Sequence, residues 1–254
     1  VPPITGLVET GFHTSDSIMR LEVLPERLGI IGGGYIATEM GHVFAGLGSS
    51  VTMFNRSDVL LSAHDREVSE RFTSVFSERV DLHLNHLPTL VERRADGIVV
   101  HCDGRKVVVD ELLVATGREP NSDLLEADRA GVELHHHGTI VVDEFQRTSV
   151  PHVWAIGDVA NDIRLKHLAN AEAEVAFWNI AHPEDLRRVE LGPVPGAVFS
   201  HPQVAAIGLT EEQAHAEGID HVVGRRDFGG TAHGWARVDE TSFAKVLVDR
   251  RPGP

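Results

Sequence analysis

The sequence predicts an α/β protein organised around a parallel βαβ unit, with an antiparallel meander attached and an incomplete α+β unit behind it. Three observations carry this prediction. A glycine-rich turn separates an apolar strand from an amphipathic helix near the start. The apolar period then changes from helical to alternating beyond Arg79, and two further glycine-bearing turns, at Gly117 and Gly157, punctuate the second half.

Each element follows from local pattern. Pro25 and the run Leu28-Gly29-Ile30-Ile31 read as a linker and a buried strand, and Gly32-Gly33-Gly34 forms a tight turn. From Tyr35 to Leu47, the residues Ile36, Met40, Val43, Phe44 and Leu47 recur at helical spacing, with Gly48 placed to cap the end. Val51-Thr52-Met53-Phe54 is a second strand. Asp65 can cap a helix running through Arg79, with Val68, Phe72, Val75 and Phe76 on one face. Asp96-Gly97 and Asp103-Gly104 fall between short alternating runs, as hairpin turns do, and Glu111 to Ala115 returns as a strand. Thr139 to Val142 and Val153 to Ile156 are strand-like, and a long helix is predicted from about Leu165 to Ala181. Pro183, Pro193 and Pro195 flank a boundary. Beyond it come strand-like Ala197 to Phe199 and Val204 to Leu209, a short helix near Glu211 to Glu217, and strands to Val248.

Bulk properties exclude several classes. A formal charge of −15 over 254 residues repels polyphosphate backbones, so nucleic acid is not an expected partner. No apolar run approaches the roughly 20 residues that span a bilayer, and no signal sequence is visible; the expected compartment is the cytoplasm. Cys102 is the single cysteine, so no disulfide can close within the chain. The sixteen histidines include the run His135-His136-His137, read as a solvated turn rather than a ligand set, and no metal site is expected.

Gly32-x-Gly34-x-x-Ala37 between a strand and a helix is the fingerprint of a Rossmann-like dinucleotide site. Gly32 permits the turn, Gly34 lets the backbone approach a pyrophosphate, and the small Ala37 lets helix and strand pack closely. The helix N-terminus then offers unpaired N–H groups to the phosphates. At the end of the second strand, where NAD-binding units carry an acidic residue for the ribose, stand Asn55 and Arg56. A 2′-phosphate would meet no carboxylate there and could gain a charge-assisted bond from Arg56, nominally ~1.5–3 kcal/mol. NADPH is therefore the predicted nucleotide.

The segment from Leu24 to Gly48 resembles the central nucleotide domain of the flavoprotein pyridine nucleotide-disulfide oxidoreductases, the group of glutathione reductase and dihydrolipoamide dehydrogenase. Ala115-Thr116-Gly117-Arg118-Glu119-Pro120-Asn121, Ala155-Ile156-Gly157-Asp158 and Phe199 to Glu211 resemble that family's next three motifs, in the same order. Within it, Gly229 to Ala236 and Leu165 to Glu172 are most similar to the mycothione reductases. The resemblance implies FAD and NADPH as cofactors, a homodimer, and a low-molecular-weight thiol disulfide, mycothiol disulfide, as substrate. It implies that Asp158, beside Gly157, accepts from the flavin ribityl chain. The helix start at His167, Leu168 and Ala169 would face the flavin pyrimidine, Tyr35 would cover the flavin until nicotinamide displaces it, Glu39 would lie beside the nicotinamide, Ile36 would bind cofactor at the same helix start, and Gly117 and Arg118 would form the turn leaving the nucleotide domain. Implied domains are the tail of an FAD-binding domain (1–24), an NAD(P)H-binding domain (25–143), a returning FAD-binding segment (144–190) and a partial dimerisation domain (191–254).

The sequence departs from the family pattern in four places. Ser62 stands where NADPH-using members often carry a second arginine. The family's own FAD-binding glycine turn, its Cys-x-x-x-x-Cys redox pair and its His-Glu pair are absent. Cys102, between Val100-His101 and Asp103-Gly104, reads as a strand residue of the meander and not as a redox centre. The expectation is a chain truncated at both ends, with no catalytic residues of its own and no disulfide turnover alone. The alternatives are a nucleotide-binding module without redox turnover and a dihydrolipoamide dehydrogenase-like enzyme. A flavin-dependent NADH oxidase or ferredoxin reductase would share the glycine turn but not the Phe199 to Glu211 segment.

Overall fold

The computed structural model describes residues 1–190 and 192–251 and divides into two compact units, Val1–Gly117 with the segment from Ala197 onward, and Arg118–Gly196. Leu191, where the last domain is expected to begin, and Gly253-Pro254, where it is expected to end, lie outside the described residues.

In the first unit, two short helices, α1 (Leu7–Thr10) and α2 (Ser15–Ile18), precede the main sheet. Strands β1 (Arg27–Ile31) and β2 (Ser50–Phe54) are joined by α3 (Tyr35–Leu47), and α4 (Arg66–Phe76) leads to β3 (Asp81–His83). The meander follows as β4 (Leu90–Arg94), β5 (Gly97–Cys102) and β6 (Arg105–Val109), before β7 (Glu111–Val114) returns to pair with β1. All pairings in the resulting β3-β2-β1-β7 sheet are parallel, whereas those of the meander are antiparallel. β1 has β2 on one side and β7 on the other, so the strand order reverses at its C-terminal end. In parallel sheets, ligands bind at such a reversal.

Alternation along the strands builds a core on each face. Leu28, Ile30 and Met53 pack with Phe44, Phe72 and Phe76 of the two helices, while Ile31, Phe54 and Leu112 pack with Val91, Ile98 and Val100 of the meander. Full burial of each such side chain stabilises by ~1.5–3 kcal/mol. Two helix ends match their sequence signals. Gly48 adopts a left-handed φ of 107° at the end of α3, and the Asp65 carboxylate accepts from Glu67 N–H at 3.1 Å at the start of α4. α4 stops at Phe76 rather than Arg79: Ser77 Oγ turns back onto the Ser74 carbonyl, and Arg79 N–H bonds to the Phe76 carbonyl in a turn.

The second unit holds one long helix, α5 (Lys166–Ala181), and a small core of Ala127, Val132, Ile140 and Ala155. The strand-like segments at Thr139 to Val142 and Val153 to Ile156 form no strands. Each pairs at a single bridge, Leu134 with Ile140 and Arg147 with Trp154. The turn through His135 to Gly138 and the one at Pro151-His152, where His152 has a φ of 66°, reverse the chain too soon for longer pairing.

The C-terminal segment contributes β8 (Gly196–Val198), β9 (Val204–Ala206), α6 (Glu211–Ala216), β10 (His221–Asp227), α7 (Ala232–Ala236) and β11 (Phe243–Asp249). β10 and β11 pair antiparallel along seven residues. Charge ties this hairpin to the start of α4. Lys245 Nζ lies 2.9 Å from Asp65 and 2.6 Å from Glu211, and Arg225 Nε lies 2.7 Å from Glu67.

Candidate functional site

The glycine turn lies at the C-terminal end of β1. Gly32 has a φ of 137°, and a Cβ there would run into the Ala115 carbonyl oxygen, so the turn demands glycine on two counts. Ala37, fully buried, packs directly over Gly32. At Gly34 the opposite holds: a Cβ would meet no atom within 4 Å. Gly34 is the N-cap of α3 and offers no capping side chain, and Thr38 Oγ turns inward to the Gly34 and Tyr35 carbonyls. The first-turn N–H groups of α3, which include those of Ile36 and Ala37, thus have no partner among the described residues. Open space above Gly34, in front of unpaired N–H donors at a positive helix end, is what an anionic pyrophosphate requires.

Asn55 is buried at the end of β2, against Gly33. Its amide donates to the Val59 carbonyl at 2.8 Å and the Ser57 carbonyl at 3.3 Å, and Leu61 N–H donates to the Gly33 carbonyl at 2.7 Å. These bonds fasten the loop after β2 to the glycine turn. Arg56 projects from that loop, exposed and without an ion pair among the described residues. Arg66, the next arginine along the chain, is spent on Asp58 at 2.7 Å and Glu70 at 2.6 Å, and Ser62 is exposed. Among the described residues, Arg56 is therefore a cation without an ion pair on the loop fastened to the glycine turn. Tyr35 is 43% exposed at the head of α3, and Glu39, one turn further, accepts from Phe199 N–H at 2.9 Å. Glu39 thereby ties α3 to the segment after β8, which the sequence reading did not foresee.

In the second unit, Gly157 has a φ of 70°, and its turn stacks on the first turn of α5; a Cβ at Gly157 would lie 3.3 Å from Ala169 Cβ. Glu172, only 2% exposed, holds the turn in place. Its carboxylate accepts from Gly157 N–H at 2.6 Å and from Asn161 Nδ2 at 2.8 Å. Asp158 is half exposed, 3.4 Å from Arg118 Nη2, and the Arg118 carbonyl accepts from Arg164 at 3.0 Å. α5 begins without a capping side chain, with His167 exposed and Leu168 buried. Gly117 closes the first unit at a φ of 146°. Glu172 was absent from the predicted site, although its signal is legible. Leu168, Glu172, Ala176 and Asn179 form the buried stripe of α5, and a carboxylate on such a stripe needs a partner.

Cys102 is a buried strand residue of β5. Burial raises its thiol pKa and Asp103 raises it further, which is the reverse of a reactive cysteine. His135, His136 and His137 are exposed in a turn. A different set of ligand types does converge: donor atoms of Glu211, His215 and His221 lie within 4.8 Å of one another.

Residues 1–174 match the family model described as pyridine nucleotide-disulphide oxidoreductase, and residues 194–253 match the dimerisation domain of the same group. Mycothione reductase of Mycobacterium tuberculosis is 42% identical over 100% of this chain and 56% of its own length. Mercuric reductase of Bacillus cereus is 37% identical over 98% of this chain and 40% of its own. Among solved structures, the HOCl-induced flavoprotein disulfide reductase RclA from Escherichia coli superposes with a TM-score of 0.88 at 30% identity, covering 98% of this chain and 58% of that one. The chain spans about half the length of these relatives. No described helix is long and apolar enough to cross a membrane.

Proposed function

Because the chain belongs to the pyridine nucleotide-disulphide oxidoreductase family, we propose that it is the nucleotide-binding and flavin-facing part of an NADPH-dependent FAD flavoprotein that reduces a low-molecular-weight thiol disulfide, of which mycothiol disulfide is the leading candidate. The observation that carries the nucleotide reading is the open space at Gly34 before the unpaired N–H groups of α3. Arg56, without an ion pair among the described residues, and Asn55 in place of a carboxylate support NADPH over NADH. The 42% identity to mycothione reductase over the whole chain supports the substrate class.

The donor set in the second unit fits a flavin dinucleotide. Glu172 fixes the Gly157 turn, so that the half-exposed Asp158 beside it would accept from a hydroxylated chain, and the uncapped start of α5 presents N–H groups that favour negative charge. When bound, flavin would accept hydride from the nicotinamide and pass electrons on to a disulfide. This chain's residues bind and orient: α3 holds the pyrophosphate, Arg56 reads the 2′-phosphate, Tyr35 and Glu39 border the nicotinamide, and Asp158 anchors the ribityl group. With Cys102 buried and alone, the relay to substrate requires cysteines this sequence does not contain. The exposed Val222, Val246 and Val248 lie on one face of the β10–β11 hairpin and suit cover by a second copy.

The test compares kcat/KM for NADPH and NADH in the full-length reductase, wild type and Arg56→Glu, with mycothiol disulfide and glutathione disulfide as substrates. NADPH preference that reverses in the variant, with faster turnover of mycothiol disulfide, is the expected result. An unchanged cofactor ratio removes the role of Arg56. Equal turnover of both disulfides removes the substrate assignment.

A further inference from the structure

Three side chains in the C-terminal segment come together with no part in nucleotide binding. Glu211 opens α6, His215 follows one turn later on the same helix, and His221 opens β10. The Nδ1 atom of His221 is 2.9 Å from the Ile219 carbonyl, which can only accept, so Nδ1 carries a proton and in the neutral ring it is Nε2 that offers the lone pair. That Nε2 faces Glu211 Oε1 at 4.0 Å, and the His221 side chain is 5% exposed. The second Glu211 oxygen is held by Lys245 at 2.6 Å, which fixes the carboxylate orientation. His215 is exposed, its ring centroid 4.8 Å from that of His221.

From this arrangement we propose that Glu211, His215 and His221 form a site for a divalent cation of the zinc class, with His221 Nε2, a His215 ring nitrogen and Glu211 Oε1 as ligands. Two nitrogens and one carboxylate oxygen suit zinc, with water in the fourth position. A carbonyl on the far nitrogen of a ligating histidine is the usual outer support, because it sets the tautomer and ring orientation. The donor atoms lie within 4.8 Å of one another, against about 3.3 Å between ligands around a tetrahedral ion. Closing that gap needs a shift of the exposed His215 and a smaller approach of Glu211 Oε1 toward His221 Nε2, now 4.0 Å apart. Asp249, paired in register with His221, and Asp65, beside Lys245, add negative potential, while Lys245 opposes it. Binding would cross-link α6 to the first residue of β10.

Purified chain without a polyhistidine tag is titrated with Zn²⁺ by calorimetry, and with Co²⁺ by visible absorption. Three variants run in parallel: His215→Ala, His221→Gln, and the triple change of His135, His136 and His137 to Ala. The expected result is one strong Zn²⁺ site per chain, a Co²⁺ spectrum with intense tetrahedral bands, at least tenfold weaker binding in either single variant, and unchanged binding in the triple variant. His215 is exposed, so His215→Ala should melt like wild type without metal, and loss of binding there reads the ligand and not the fold. Absence of a strong site in wild type, its persistence in both single variants, or its loss in the triple variant overturns the proposal.

Discussion

Gly34→Ala separates the phosphate-binding role of the glycine turn from its folding role. At Gly34 the backbone has φ −83° and ψ −173°, an extended conformation that alanine adopts freely, and the added Cβ meets no protein atom within 4 Å. Folding stability should hold or rise by about 0.4–1 kcal/mol, since alanine narrows the unfolded ensemble. The methyl group instead enters the space through which a pyrophosphate reaches the α3 N–H donors. Loss of one charge-assisted N–H to phosphate bond is worth about 1.5–3 kcal/mol, or a tenfold to hundredfold weaker affinity. Gly32→Ala makes the contrast: its φ of 137° and the collision with the Ala115 carbonyl should destabilise the chain directly. Calorimetric titration with NADPH and urea unfolding of both variants read the two effects. Full NADPH affinity in Gly34→Ala would refute the assignment of the turn as the phosphate cradle, and so would a loss of affinity that tracks a loss of stability.

Three further outcomes follow from the geometry. Glu172→Ala should lower the melting temperature and, in the full-length reductase, flavin retention, because it leaves Gly157 N–H and Asn161 Nδ2 without their shared acceptor; Glu172→Gln, which can still accept one bond, should lose less, and equal losses would show that only packing matters. In the network at the start of α4, burial opposes charge on both Asp65 and Lys245, yet the Lys245 hydrogen bond and backbone donors leave the Asp65 pKa depressed, and hydrogen bonds to Glu211 and Asp65 leave the Lys245 pKa raised. Asp65 therefore contributes stability that is present above the unfolded carboxylate pKa of about 3.9 and lost as pH falls through its lower folded value; the Lys245 contribution is complete below about 10.4 and lost as pH rises through its higher folded value. The urea midpoints of wild type and Lys245→Met should then differ most near neutral pH and converge below about pH 4, and a constant difference across that range would remove the ion pair as its cause. Finally, the chain with added FAD and NADPH should release no thiol from disulfides above background, in wild type and Cys102→Ser alike; sustained release that vanishes in Cys102→Ser would make the buried thiol a redox centre.

Local pattern was enough to determine the βαβ unit, its glycine turn and the meander, because each is built from signals close in sequence. The strand run at Leu28, the helical spacing to Leu47, the cap at Gly48 and the hairpin glycines at Gly97 and Gly104 all appear where their residues dictate. Those signals also singled out Asn55 and Arg56. Only the tertiary structure decided that Asn55 spends its amide on the loop after β2 while Arg56 makes no ion pair among the described residues, since that depends on carbonyls the folded loop brings back. It likewise decided that Thr139 to Val142 and Val153 to Ile156 pair at one residue each, because strand formation needs a partner that local propensity does not supply. The same reason hid the contacts of Glu39 with Phe199, of Glu172 with Gly157, and of His221 with Glu211 and His215. Helical spacing relates Glu211 to His215, but hydrogen bonds and charges between separate elements arise only when the chain closes on itself.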